Sequence, residues 1–325
     1  MVLRRVSLRI KYAFSAAKLT PSTPPPCSPL QKGPEIVTTG RILLERQRAM
    51  CPRLGDAYAR TERAAIVKEE VAFYRIKKAV DKGLDTVDLA GCSFPFVPDE
   101  LRQVPSLAAT LVDLNLARNQ LFSTDAAFAV LKNLVNLKRL SLANNFLNGK
   151  LSEEAGRLVR LEELDLDGNQ LTELPESCEN WSELRVFSCG GNKMITALPE
   201  GVEHWTKLEM CNLRENALTS LPAGASKWKK IKRLFLGSNK FAEIPDAVGF
   251  MPELSELDAR GNEVTEIPMC LAACEKLEHL NLGRNKIATI PETLISGFTN
   301  LREVREKGGH KTREREALSS STDVE

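Results

Sequence analysis

The sequence predicts an α/β repeat solenoid, a stack of strand-and-turn units with a parallel β-sheet on its concave side and a capping helix at its N-terminal end. One skeleton of residues, LxxLxLxxNxLxxLP, recurs from Leu84 to Val304. Successive copies begin only 23 to 27 residues apart. A fixed period in this range is typical of solenoids, in which each unit packs against its two neighbours. A helix-forming stretch directly before the first copy supplies the cap.

We expect residues 1–40 to form a separate basic extension. They carry six Lys or Arg residues and one acid, Glu35, which gives a net charge of +5. Apolar residues recur at helical spacing from Val2 to Leu19, and six prolines follow between Thr20 and Pro34. A basic, amphipathic start is typical of mitochondrial or plastid transit peptides. The alternatives are a disordered basic extension and a misassigned start of translation.

Residues 41–83 predict a helical cap on the first repeat. Helix formers dominate, apolar residues such as Val71, Tyr74 and Ile76 recur at helical spacing, and Gly83 suits the end of a helix. The terminal unit of a solenoid exposes an apolar end and an unpaired strand edge, which such a helix covers. A partner-binding helix is the alternative.

We expect residues 84–306 to form nine to ten repeats. In LxxLxL, strand alternation sends the leucines into the core and leaves the intervening side chains on the concave face. The asparagine after each strand can satisfy backbone groups where the chain leaves the sheet. These asparagines are Asn119, Asn145, Asn169, Asn192, Asn216, Asn239, Asn262 and Asn285. The first two repeats are the longest, which predicts irregular structure at 99–106 and 125–133 on the convex side.

The convex side should supply the second wall of the core. A Leu-Pro or Ile-Pro pair closes six of the units, and Trp181, Trp205 and Trp228 each lie six residues after such a proline. This shared position predicts a buried column of tryptophans rather than a ligand site. Four cysteines also fall in core columns: Cys178, Cys189, Cys211 and Cys274.

Composition limits the partners and the cellular compartment that we expect for this protein. With 45 basic and 43 acidic residues the charge is nearly balanced, so neither nucleic acid nor an anionic membrane is expected as partner. Eight cysteines without a CxxC pair, and no apolar run of membrane length, predict a reduced intracellular protein. It should be cytoplasmic unless residues 1–40 direct import into mitochondria or plastids. We expect a monomer with a disordered charged tail at 307–325.

Function should reside on the concave face. Val186, Met210 and Phe235 predict an exposed apolar diagonal across three strands, with acids on both sides. An apolar centre with a charged rim is typical of protein-binding hot spots, so we expect a partner segment with an apolar anchor and basic flanks. The alternative is that single exposed apolar residues are ordinary. The candidate site comprises Glu163, Asp165, Asp167, Val186, Met210, Asn212, Arg233, Phe235, Glu256, Asp258 and His279.

A second candidate is a basic cluster. It comprises Lys227, Lys229, Lys230, Lys232 and Arg233, and would suit an acidic partner or phosphate. A solvated charged surface explains the same residues.

Enzyme chemistry, cofactors and metals are not expected. The chain has three histidines, and His279 has no cysteine or serine with a supporting acid in an evident constellation. Neither GxxxxGK[ST] nor GxGxxG occurs. The scattered cysteines do not predict converging metal ligands.

The skeleton is that of a leucine-rich repeat, and its 23-residue units ending in Leu-Pro resemble the intracellular Ras-group leucine-rich-repeat proteins, including plant members and Scribble-type scaffolds. The resemblance implies a leucine-rich-repeat horseshoe acting as a non-catalytic scaffold or adaptor. Its partners would be signalling proteins, such as a small GTPase or a phosphatase catalytic subunit, bound through the concave face. Two alternatives are a structural or assembly subunit of an organellar complex and a regulatory subunit of a phosphatase or ubiquitin ligase.

Overall fold

The computed structural model describes residues 70–288, 300–301, 303–305 and 312–313. All of them belong to one compact unit, Ala57–Glu325. The predicted basic extension, residues 1–40, lies outside the described residues, as does the first part of the predicted cap, 41–69. Those two predictions therefore stay predictions.

Strands from successive repeats form one sheet, as the alternation of leucines predicts. In sheet order the strands are β1 Thr86–Asp88, β2 Asp113–Asn115, β3 Arg139–Ser141, β5 Glu163–Asp165, β7 Val186–Ser188, β8 Met210–Asn212, β9 Arg233–Phe235, β10 Glu256–Asp258, β11 His279–Asn281, β12 Glu303–Arg305 and β13 Thr312–Arg313. Strands β4, Asn148–Lys150, and β6, Gln170–Glu173, form a separate parallel pair. The strands from β1 to β12 in the large sheet run parallel without a register shift, so equivalent residues of neighbouring repeats stand side by side.

The convex side consists mainly of short 3₁₀ turns. They are Glu153–Arg157, Glu176–Asn180, Glu200–His204, Ala223–Lys227, Asp246–Phe250 and Met269–Ala273. Helix α1 occupies 70–82, and the two longest repeats carry α2 Glu100–Gln103, α3 Pro105–Thr110 and α4 Thr124–Leu131. The predicted irregularity is confirmed, because the extra residues form α-helices where later repeats have one 3₁₀ turn.

The tryptophan column lies in the core, as predicted. Trp181, Trp205 and Trp228 are fully buried, and their ring centroids are 6.0 and 6.1 Å apart. Each indole N–H donates to a backbone carbonyl of the preceding repeat; for Trp205 the acceptor is Cys178, at 2.9 Å. The column thus joins the repeats by stacking and by hydrogen bonds that satisfy its buried donors.

The asparagines form the expected ladder with one break. In a typical step, Asn239 Nδ2 donates to the carbonyls of Leu213 and Leu236, and its Oδ1 accepts from Leu218 N at 3.0 Å. Asn216 makes the equivalent donations, but its buried Oδ1 has no hydrogen-bond partner among the described residues. The cause is one extra residue in the preceding repeat, where two residues separate Asn192 from Ile195, whereas one residue separates the asparagine from the next core residue in the other repeats.

The ends of the array differ from the sequence predictions in two respects. Helix α1 buries Ala72, Ile76 and Ala79, whereas Val71 and Tyr74 are 41% and 66% exposed. The predicted Ile76 is thus buried, and the predicted Val80 packs against the core, but two alanines and not Val71 and Tyr74 complete the packed face. Beyond β12, Thr312–Arg313 pairs with it antiparallel, so these two residues of the predicted disordered tail are a strand on an otherwise open edge.

Candidate functional site

The sheet face is the surface formed by the first and third residues of the strands β1 to β11 of the large sheet, whose central residues are buried in the core. Ten of the eleven predicted site residues lie on it, between β5 and β11. Register brings several of them together: Val186 is beside Met210, and Met210 is beside Arg233. Asp167 is the exception, because it follows the end of β5 by two residues.

The prediction of an exposed Phe235 is wrong. Only 9% of this residue is exposed, because the Arg214 guanidinium carbon lies 4.1 Å from the centre of its ring. Arg214 Nη2 also donates to Asp258 Oδ2 at 2.6 Å. The side chain of Arg214 thus extends from the end of β8 past β9 to β10, and covers Phe235 on the way. The predicted apolar diagonal ends at Met210.

Sequence reasoning missed Arg214. The residue at the same position in the next repeat is Gly237, and a Cβ placed there would lie 3.7 Å from Arg214 Cγ, which is an ordinary van der Waals contact. This glycine is therefore not required for the arginine to cross the neighbouring strand, and the sequence carries no signal for the contact.

Asp167 and Asn212 have a structural task that the sequence did not indicate. Asp167 Oδ1 accepts from Ser188 Oγ at 2.7 Å and from Gly190 N, and Asn212 Nδ2 lies 3.2 Å from Asp167 Oδ2. Burial raises the pKa of Asp167, and nearby Asp165 raises it further, whereas these hydrogen bonds oppose the rise. The network ties three repeats together and leaves these two residues less available to a partner.

The first residues of β5, β7, β8 and β9 remain the accessible part of the candidate site. Val186 and Met210 are half-buried and adjacent, so they form a two-residue apolar step. Glu163 and Arg233 flank this step on the two neighbouring strands, and both are exposed. Neither makes an ion pair with any of the described residues, although Arg139 lies beside Glu163 on β3 and attracts it. We call these four residues the central row.

A shallow groove of about 300 Å³ lies beside the central row, over β10 and β11. Its polar lining comprises Arg214, Glu256, Asp258, His279 and Asn281. Asp258 is only 8% exposed and is already paired with Arg214. Glu256 stands at the equivalent strand position to Arg233 and extends the central row by one strand.

An alternating ladder of charges borders the central row at the start of the strands. The successive ion pairs are Lys138–Glu162 at 2.7 Å, Glu162–Arg185 at 3.9 Å, Arg185–Glu209 at 3.1 Å and Glu209–Lys232 at 2.8 Å. Hydrogen bonds from Lys138 and Lys232 lower the pKa of Glu162 and Glu209, respectively. The three basic and two acidic side chains leave a net charge of +1, so the ladder adds only a small field to the face.

The predicted basic cluster is divided by the fold. Lys232 belongs to the ladder, Arg233 lies on the sheet face, and Lys229 donates to the carbonyl of Phe250 at 2.9 Å. Lys227 and Lys230 are exposed on the convex side. The cluster is therefore not one concentrated site for an anion.

The described residues contain no grouping of three His, Cys, Asp or Glu residues that is suited to hold a metal ion. Burial raises the pKa of the Cys178 thiol to about 12 and that of Cys274 to about 11, so neither is a ready nucleophile. Within the same ranges, no helix has the length and apolarity to cross a membrane.

Comparison with known proteins agrees with this architecture. The family model described as Leucine Rich Repeat matches residues 160–181 and 276–301. Among solved structures, the chain is similar to a leucine-rich-repeat protein of Leptospira interrogans, with 26% identity, a TM-score of 0.57, and 72% of this chain and 64% of that one covered. No curated protein matches the sequence.

Two plant receptors are also similar. The ectodomain of the receptor kinase GASSHO1/SCHENGEN3 of Arabidopsis thaliana, in complex with CASPARIAN STRIP INTEGRITY FACTOR 2, shares 26% identity with a TM-score of 0.58, and 72% of this chain and 29% of that one are covered. The plant peptide hormone receptor RGFR1 in complex with RGF2 shares 26% identity with a TM-score of 0.56, and 65% and 38% are covered. The chain thus spans less than two thirds of each of these three proteins.

The chain therefore carries leucine-rich repeats and has the leucine-rich-repeat fold, as the sequence predicts. Domains with this fold typically mediate protein–protein interaction, and their consensus residues serve the core. The narrower resemblance to the Ras-group proteins stays a prediction.

Proposed function

We propose that this protein is a non-catalytic interaction scaffold that binds a segment of a partner protein across its sheet face. The observation that carries the proposal is the central row, where an apolar step lies between two exposed charges that form no ion pair within the described part of the chain. An apolar centre bordered by charge is a common arrangement at protein interfaces.

The surroundings of the central row support the proposal. Neighbouring charges are already paired, in the ladder and in the Arg214–Asp258 bridge. Glu163 and Arg233 therefore stand out as the charges beside Val186 and Met210 that a partner can neutralise. Both plant receptors to which the chain is similar are in complex with a second component. A segment bound across the strands is consistent with an extended, solvent-facing sheet.

The resemblance to Ras-group proteins extends this proposal to the class of partner. It favours a signalling protein, such as a small GTPase or a phosphatase catalytic subunit. Affinity purification from cells that express the chain, followed by mass spectrometry, identifies the partner and tests this extension.

The role of the central row is tested by paired variants in the same purification. We expect Val186→Asp/Met210→Asp to lose the partner, because two carboxylates replace the apolar step. The matched control is Phe250→Asp/Met269→Asp, which changes two residues that are 58% and 59% exposed on the convex side. Circular dichroism must show that both variants remain folded. Equal capture by the wild type and by both variants would show that the sheet face is not the binding site.

A further inference from the structure

We propose that the sheet face binds a bipolar segment, in which a basic, an apolar and an acidic residue occupy alternate positions. This inference rests on the proposed function and specifies the partner's chemistry. It also changes the sequence expectation of basic flanks on both sides of the anchor.

The charge order of the central row carries the inference. Along the sheet, Glu163 on β5 is followed by Val186 on β7, Met210 on β8 and Arg233 on β9. One side of the apolar step is thus acidic, and the other side is basic. A segment with two basic flanks would place one of them against Arg233, where like charges repel.

Other charged side chains around the row keep this order. Arg139 lies beside Glu163 on β3 and attracts it, but its guanidinium is paired with Asp113 at 2.9 Å, and Arg214 pairs with Asp258. Asp165 accepts from Ser141 Oγ at 3.0 Å and from Asp167 N, so its carboxylate is partly satisfied within the sheet. Glu256 adds a second acid beyond Arg233, one strand farther from the apolar step.

The spacing of the row matches that of an extended chain. Neighbouring strands are about 4.8 Å apart, so the three steps from Glu163 to Arg233 span about 14 Å. In an extended segment every second side chain points the same way, and two such intervals span about 13 Å. Residues at positions 1, 3 and 5 of the segment therefore face Glu163, the apolar step and Arg233. Their required order is basic, apolar and acidic, in either direction of the chain.

Selection from phage-displayed random peptides of twelve residues tests the inference on the full-length protein. The wild type should enrich peptides with opposite charges four positions apart on either side of an apolar residue. Glu163→Lys should shift the enriched peptides to acids at both positions, and Arg233→Glu should shift them to bases at both positions. We expect each reversal to change the frequency of the matching charge by about threefold to tenfold. Glu266→Lys, an exposed position away from the strands, is the control and should keep the wild-type preference.

The outcomes separate the inference from the proposed function. If Val186→Asp/Met210→Asp abolishes selection but the peptides selected by the wild type show no charge order, the sheet face binds protein and the bipolar inference is wrong. If this double variant selects the same peptides as the wild type, the proposed function itself fails. The inference is also wrong if both charge-reversal variants enrich the same peptides as the wild type, or if the wild type enriches no peptides.

Discussion

At the scale of single residues, the contact between Arg214 and Phe235 decides which part of the sheet face is apolar. Arg214→Ala removes the ring contact and the bridge to Asp258, and should destabilise the protein by about 1 kcal/mol. Arg260 is the matched control, because it occupies the same repeat position and makes no side-chain hydrogen bond or ion pair with the described residues. Thermal unfolding should show a clear loss for Arg214→Ala and little change for Arg260→Ala. Equal effects would mean that the arginine contact has no energetic importance.

Glu153 predicts a pH dependence of stability. Its Oε1 lies 2.8 Å from Lys150 Nζ, and its Oε2 accepts from Ser177 N at 3.1 Å. Lys150 is the main cause that lowers its pKa from 4.5 to about 2. Because the folded pKa is lowered, this contribution to stability is complete above pH 4.5 and is lost as the pH falls towards 2.

The measurement is urea unfolding of Glu153→Gln and of the wild type across this pH range. We expect the variant to be less stable at pH 7, and the difference to disappear near pH 2. Glu266→Gln serves as control, since the Glu266 side chain has no ion pair within the described residues. A constant difference at all pH values would contradict the assigned contacts.

At the scale of the repeat, the break in the asparagine ladder predicts unequal costs for the same substitution. Asn239→Ala should cost about 1 kcal/mol more than Asn216→Ala, because only the Asn239 Oδ1 has a donor to lose. Deletion of Met194 should restore the common spacing, place Ile195 N opposite Asn216 Oδ1 and raise the stability. Denaturant unfolding of the three variants checks both statements. Equal costs for the two asparagines would show that the break has no energetic consequence.

The repeat scale also shows how much of the fold was predictable. The leucines and asparagines predicted the register of β1 to β12, because each consensus residue recurs at a fixed position in every repeat. The break at Asn216 was visible only as one additional residue before Ile195. Helix α1 was predicted, but its buried face was predicted only at Ile76, because alanines at 72 and 79 carry little hydrophobic signal.

At the scale of the whole molecule, sequence reasoning located the face but not its accessible part. Ten of the eleven candidate residues lie on the sheet face, since strand alternation fixes which side chains leave the core. The burial of Phe235 and the network of Asp167 were not predictable in the same way. Both depend on a long or polar side chain that contacts a neighbouring repeat. Such contacts between repeats cannot be recognised when each repeat is examined by itself.

If the sheet face is the binding site, a partner protein contacts the row from Glu163 to Arg233. The most direct measurement introduces the photo-crosslinking residue benzoylphenylalanine at position 210 or at position 250 in cells that express the chain. Met210 lies on the sheet face, and Phe250 is exposed on the convex side. We expect a crosslinked partner from position 210 and none from position 250. A partner that crosslinks from position 250 but not from position 210 would contradict this expectation.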